Sequence, residues 1–321
     1  MKTFLRRPSQ AAFVENALTV YSAGPGALAR QLVADFRAIS GQDINLLQDT
    51  TGRLLARLEA EASAPVADVV ILASWDIARD MEAAGQLQPI HAARASAASR
   101  YQSECMVAQG VSVLGMAWRS QAKAPAPGDW HDLADADFDG RLCMPDPALS
   151  GATLDLLLGL ERAWGEGLWS LLAQLRDSGM VVPGANSQAL APVLRGERDL
   201  VLGCVDYLAC SLPSREAGLR FILPHGGTVC APRPMMILRD AQHTLQAQAF
   251  VAHVMSDAGQ ERVRAAGLTP AADIDSAARA TPALLSLPPT SHRARLALLS
   301  RFSALFGAEF DSSIALPLGW A

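Results

Sequence analysis

The sequence predicts an α/β fold, and three observations carry that prediction. Short apolar runs of four to six residues alternate with segments whose apolar residues recur at helical spacing. The runs are largely apolar, as in parallel strands buried on both faces. Half of the 321 residues are apolar, enough to build the cores of two domains at roughly 100–200 residues each.

Taken in order, Leu18–Tyr21 reads as a buried strand and residues 22–26 (SAGPG) as a loop. Leu28, Leu32, Val33, Phe36 and Ile39 then give a helical face, and Gly41 ends that helix. Ile44–Leu47 is the second strand. Residues 49–52 (DTTG) lead into a helix with Leu54, Leu55 and Leu58 on one face, broken at Pro65. Residues 67–72 (ADVVIL) form a third strand, completing a βαβαβ order.

Gly110–Trp118 is a further β-type run, followed by a Pro-rich surface connection at 123–129. A second α/β set follows. Its strands are Gly140–Met144, Met180–Val182, Leu200–Val205 and Pro234–Leu238, and its helices Thr153–Trp164 and Gln188–Leu194. The remainder is mostly helical, with one face at Phe250, Val251 and Val254 and another across Leu296–Phe306.

Composition and motifs exclude several functions. The net charge is 27 − 32 = −5, which is wrong for a protein that coats nucleic acid. No apolar run reaches the ~18–20 residues of a membrane-spanning helix. Of the 27 basic residues only Lys2 and Lys123 are lysines, so a single Arg carries little weight as a signal. The chain has no GxSxG, HExxH, GxxxxGK[ST] or strict GxGxxG motif. Its six histidines show no metal-ligand spacing, and Asp135, Asp137 and Asp139 make a solvated acidic turn rather than a calcium loop. No catalytic residue, metal or cofactor is expected. The five cysteines include no CxxC pair and read as structural thiols. Met1–Arg7 is basic, but Pro8, Ser9 and Gln10 follow where the apolar core of a signal peptide would begin, so none is evident.

Three strand-to-helix junctions share one chemistry. Thr50-Thr51-Gly52, Ser150-Gly151-Ala152-Thr153 and Ala185-Asn186-Ser187 place hydroxyl or amide side chains where a helix begins. Such residues cap helices. The free N–H groups and positive dipole end beside them also attract anions. Ligands of open α/β sheets sit at strand carboxyl ends, where all three junctions fall. Arg53, in the first turn of its helix, is a candidate grip on a carboxylate or phosphate, or a solvated surface Arg.

Leu18–Ser22, Thr51–Leu58 (TGRLLARL), Ala67-Asp68-Val69 and the run from Trp130 to Thr153 (WHDLADADFDGRLCMPDPALSGAT) resemble the bacterial extracellular solute-binding proteins of ABC importers. The similar branch includes ferric-iron, phosphonate and phosphorylated-sugar binders. Gly196-Glu197, the Leu200 strand and Gly259-Gln260 fit in order, so the resemblance runs from about residue 17 to 265. It implies a two-lobed type II periplasmic-binding-protein fold with a ligand cleft between lobes. Lobe 1 would comprise 17–112 plus 237–321, and lobe 2 residues 113–236. Closure would be a hinge motion, presenting the solute to a permease and its ATPase. A periplasmic monomer is the family expectation.

The family's ligand positions fall on Ser22, Gly24, Thr50, Thr51, Arg53, Ser74 and Asp76, then on Ser150, Gly151, Thr153, Asn186, Ser187, Asp206 and Tyr207. Gly52 belongs to the same junction. Iron-binding members carry an adjacent Tyr pair, a His in the first loop and a Glu in the second. Here Tyr207 precedes Leu208, and Gly24-Pro25-Gly26 and Arg53 occupy the other places. Fe(III) wants anionic oxygen ligands, so the resemblance points to a small anionic solute, with a phosphate or phosphonate group favoured over iron. If that solute also has an amine, Asp76 or Asp206 is its candidate partner. The alternatives are iron held through Tyr21 or Tyr207, and a cytoplasmic sensor or enzyme on the same scaffold.

Overall fold

The computed structural model describes residues 13–91, 101–271, 284–285 and 289–307. The chain begins β1 (Leu18–Ser22), α1 (Gly26–Ser40), β2 (Ile44–Gln48), α2 (Thr51–Ala60), β3 (Val69–Ile71), α3 (Trp75–Ala83) and β4 (Leu87–Gln88). β1 pairs with β2 and β3 in parallel, the arrangement the first βαβαβ unit predicts. Leu28, Leu32, Val33 and Phe36 bury one face of α1, whereas Ile39 in its last turn is 75% exposed. Gly41 closes the helix in the left-handed region at φ 68°, donating its N–H to the Arg37 carbonyl.

β5 (Met106–Arg119) is the longest strand and serves both halves of the molecule. Its first part, Met106–Val113, pairs antiparallel with β9 (Cys230–Leu238), which also pairs with β3. Its last part, Leu114–Arg119, pairs instead with β7 (Leu200–Val205) and β8 (Leu219–Ile222). β6 (Leu142–Cys143) adds to β7 in parallel. The main strand order is therefore β2-β1-β3-β9-β5-β7-β6, a mixed sheet rather than a wholly parallel one. The change of partner on β5 falls between Val113 and Leu114. On the return, Leu114 takes its bond from the Val229 carbonyl and β9 is paired from Cys230 onward, six residues before Met236.

The helices cover both faces. Between β6 and β7 lie α4 (Gly151–Trp164), α5 (Glu166–Asp177) and α6 (Asn186–Leu194). α7 (Asp206–Ala209) and α8 (Leu212–Glu216) precede β8. α9 (Thr244–Met255), α10 (Asp257–Ala265), β10 (Thr269–Pro270) and α11 (His292–Phe306) complete the described chain. The Met180–Val182 run contributes one bridge, Val181 to Cys143, rather than a strand. None of the five cysteines forms a disulfide. The large core cluster joins α2 and α3 to α4, α5 and α11, so apolar packing is continuous across both halves.

Two bulges shape the central strands. Gly203 is skipped in the β5–β7 pairing and takes φ +74°, a conformation that costs glycine nothing. In the β5–β9 pairing, Ala108 faces Pro234 and Val111 faces Pro232. Gln109 and Gly110 together thus oppose the single residue Arg233. A bulge bends the strand and re-aims the side chain beside it.

Candidate functional site

A cleft of about 530 Å³ opens where the two α/β units face each other. From the first unit it is lined by the β1–α1 loop (residues 22–28), the β2–α2 junction (48–51) and Ala73. From the second come residues 149–151, 185–187, Tyr207, Leu208 and Ser211. Four helices begin at this cleft: α1, α2, α4 and α6. Their first-turn N–H groups and dipoles converge on it, which favours negative charge.

The caps of these helices differ. Thr50 Oγ1 accepts the Arg53 N–H at 3.4 Å at the start of α2, and Ser150 Oγ accepts the Thr153 N–H at 3.2 Å at α4. α1 begins after Pro25 and α6 after Ala185 without a side-chain cap, leaving backbone donors there for a ligand. Ser22 Oγ accepts the Gly24 N–H at 3.1 Å and shapes the first loop. Thr51 Oγ1 accepts the Ala73 N–H at 3.2 Å, tying two loops of the cleft wall together. Asn186 donates to Ser150 Oγ at 2.8 Å, coupling two walls of the second unit.

Arg233 is the residue that the sequence reading misses. Only 2% of it is exposed, yet it reaches the cleft wall. Nη1 donates to the Ala23 carbonyl at 2.9 Å and Nη2 to the Tyr207 hydroxyl at 3.2 Å. Its guanidinium also lies over the Tyr207 ring, 5.2 Å from the centroid. Nε has no partner, and Arg233 forms no ion pair among the described residues. Its side-chain hydrogen bonds go only to neutral groups, and the one acidic neighbour that acts on it is the Asp206 carboxyl beneath the cleft.

Of the expected site residues, Ser22, Gly24, Thr50, Thr51, Ser150, Gly151, Asn186, Ser187 and Tyr207 line this cleft together. Gly52 and Thr153 lie just behind it, both buried, Thr153 bonding Ser150 through Oγ1 at 2.9 Å. Arg53 points outward. Its side chain is 61% exposed and sits 3.6 Å from Asp49. Ser74 is fully buried and bonds Asp155 at 2.8 Å. Asp76 is engaged by the Thr290 N–H and by Arg295 at 2.6 Å, away from the cleft. Asp206 lies beneath the cleft; burial raises its carboxyl to about 6, against the Val113 and Tyr207 N–H groups and the Arg233 charge. Neither aspartate offers a free carboxylate to an amine.

Tyr21 is wholly buried and bonds Glu61 and Arg57 inside the first unit. Burial foremost raises the Tyr207 phenol, whose oxygen already accepts from Arg233. Among the described residues no group of three or more His, Cys, Asp or Glu could hold a metal. No His or Cys lines the cleft, and its one carboxylate, Asp49, accepts the Thr50 N–H at 2.8 Å and faces Arg53. Helix starts and a buried guanidinium at the cleft wall make its potential favour negative charge.

Fold and cleft together define a two-lobed solute-binding protein. The model of the bacterial extracellular solute-binding protein family matches residues 18–269, so the chain belongs to that family. It is 24% identical over 290 residues to the phosphoglycerate transport regulatory protein PgtC of Salmonella typhimurium, covering 86% of this chain and 70% of that one. It superposes on the periplasmic binding protein AfuA of Actinobacillus pleuropneumoniae, solved with fructose-6-phosphate, with a TM-score of 0.78 and 18% identity. That match covers 91% of this chain and 99% of the other. Iron-bound HitA of Pseudomonas aeruginosa has a similar fold, with a TM-score of 0.70 and 18% identity over 91% and 97% of the two chains.

Proposed function

We propose that this chain captures a small anionic organic solute bearing a phosphate or phosphonate group and delivers it to the permease and ATPase of an ABC importer. It acts as a periplasmic monomer, without catalysis or cofactor. Residues 17–112 plus 237–321 close against 113–236 about the strands that change partner near Val113 and Cys230. The observation that carries this reading is Arg233, a buried guanidinium whose side-chain hydrogen bonds go only to neutral groups, at the wall of a cleft where helices α1, α2, α4 and α6 begin. The phosphoglycerate in the name of PgtC and the fructose-6-phosphate held by AfuA agree with it.

Ferric iron fits less well. A bound Fe(III) would need a tyrosinate at Tyr207, but that oxygen accepts from Arg233, whose charge repels a metal cation. The test is a thermal-shift panel on ligand-stripped protein with 3-phosphoglycerate, fructose-6-phosphate, 2-aminoethylphosphonate, inorganic phosphate, dicarboxylates, thiamine and ferric citrate. A ligand at ~100 times its Kd adds about 2.7 kcal/mol. A selective rise with a phosphoryl compound is the expected outcome; a rise with iron alone contradicts the reading.

A further inference from the structure

Arg233 Nε is not the only buried polar atom without a partner beside this cleft. Gln109, on β5, stands with Gly110 opposite Arg233 in the bulge, and only 1% of it is exposed. Its backbone carbonyl accepts from Gln260 Nε2 at 3.1 Å, which anchors the strand there. Its side-chain amide is anchored by nothing. Oε1 is shut off from solvent without a donor, and the amide nitrogen has no acceptor among the described residues. A buried amide left unmatched destabilises the fold that holds it.

Gln109 and Arg233 reach under the same loop. Arg233 Nη1 bonds the Ala23 carbonyl, and a Cβ placed on Gly24 would stand 3.7 Å from Gln109 Oε1 and 3.1 Å from Ser22 Oγ. Ala23 and Gly24 both line the cleft. A side chain at position 24 would lie against the amide, and glycine leaves that side of the loop open.

We propose that Gln109 is a specificity-determining residue whose amide pairs with a hydroxyl that the solute carries beside its anionic group. The proposal rests on the anionic-solute reading above and deepens it: the substrate class is a hydroxylated anion, a phosphorylated hydroxy acid or polyol rather than a bare oxyanion.

The chemistry of the two unpaired groups selects the hydroxyl. An amide presents one accepting and one donating edge, whichever way it is turned. The oxygens of a fully ionised phosphate or sulfate only accept, so they match Arg233 Nε and the amide N–H but leave Oε1 unmet. An ammonium group would supply a donor, yet beside the buried Arg233 charge it meets repulsion. A neutral hydroxyl donates to Oε1 and accepts from an N–H, so it satisfies both edges. An analogue lacking that hydroxyl leaves the amide unpaired and is rejected for that reason.

Titration calorimetry with three pairs of anions tests this. The pairs are 3-phosphoglycerate against its 2-deoxy analogue 3-phosphooxypropionate, 2-hydroxyethylphosphonate against ethylphosphonate, and malate against succinate. Wild type should bind the hydroxyl member of at least one pair about ten- to a hundredfold tighter than its partner. Gln109→Met keeps the length of the side chain without its amide, and should bind both members within about threefold of each other. Without ligand, Q109M should melt no lower than wild type, because the amide it removes has no partner there. Equal binding of both members by wild type overturns the proposal and leaves the anion reading standing. An undiminished preference in Q109M overturns it as well. So does a ligand-free Q109M that melts several degrees lower or fails to fold, which would make the amide a structural group. A preference seen only for malate over succinate, and lost in Q109M, upholds Gln109 and removes the phosphoryl group from the reading above. No binding of any pair overturns both.

Discussion

Arg53 and Arg233 carry the same group, and only the first looks functional in the sequence. Arg53 follows a Thr-Thr-Gly junction, where a cation is unfavourable for the helix and invites a search for an anion. In the structure it finds Asp49 at 3.6 Å and water. A surface pair of this kind is worth about 0–1 kcal/mol, and Arg53 points away from the cleft, so Arg53→Ala should change solute affinity by less than about fivefold, measured by titration calorimetry. Arg233 lies in an apolar run between two prolines, and nothing local marks it. Its role depends on a bulge formed with Gln109 and Gly110, 124 and 123 residues away, a pairing no short window contains. The neighbouring assignments divide on the same ground. Hydroxyl and amide residues at helix starts (Thr50, Ser150, Asn186) are local signals and meet at the cleft, whereas the engagement of Asp76 by Arg295 comes from α11, 219 residues later.

At the scale of elements, hydrophobic spacing was sufficient for most of the strands and helices. β1, β2 and β7 fall within a residue of the expected runs, because buried strands in this fold are largely apolar segments. α3 and α5 were not expected; charged residues interrupt α3 throughout and packing on neighbours defines it, whereas α5 has a regular apolar face at Leu168, Trp169, Leu171, Leu172 and Leu175. β9 starts four residues before the expected Pro234, since pairing with β5 and not composition sets its beginning. Gly203 belongs to this scale too. It holds φ +74° at the β7 bulge, and a Cβ there would stand 2.9 Å from Leu156 Cδ2. Gly203→Ala should destabilise the fold by about 1–3 kcal/mol, read as a lower denaturation midpoint. It should also blunt solute binding, because β7 carries Tyr207 to the cleft.

For the whole molecule, the order of elements was enough to specify two α/β units, but not the details of how they meet. The contacts that shape the junction, Ser74 to Asp155 between the two units and Thr51 to Ala73 within the first, bring together residues 81 and 22 positions apart. The same topology brings four helix starts and one buried guanidinium to a single cleft. That convergence is the central claim, and a calorimetric titration of 3-phosphoglycerate and fructose-6-phosphate into wild type and Arg233→Gln tests it most directly. Wild type should bind at least one of them at a single site. R233Q should lose about 1.5–3 kcal/mol, roughly 10- to 150-fold, the worth of a hydrogen bond to a charged group, while keeping its fold. Equal affinity in the two proteins would show that the anion does not meet Arg233 and would contradict the account.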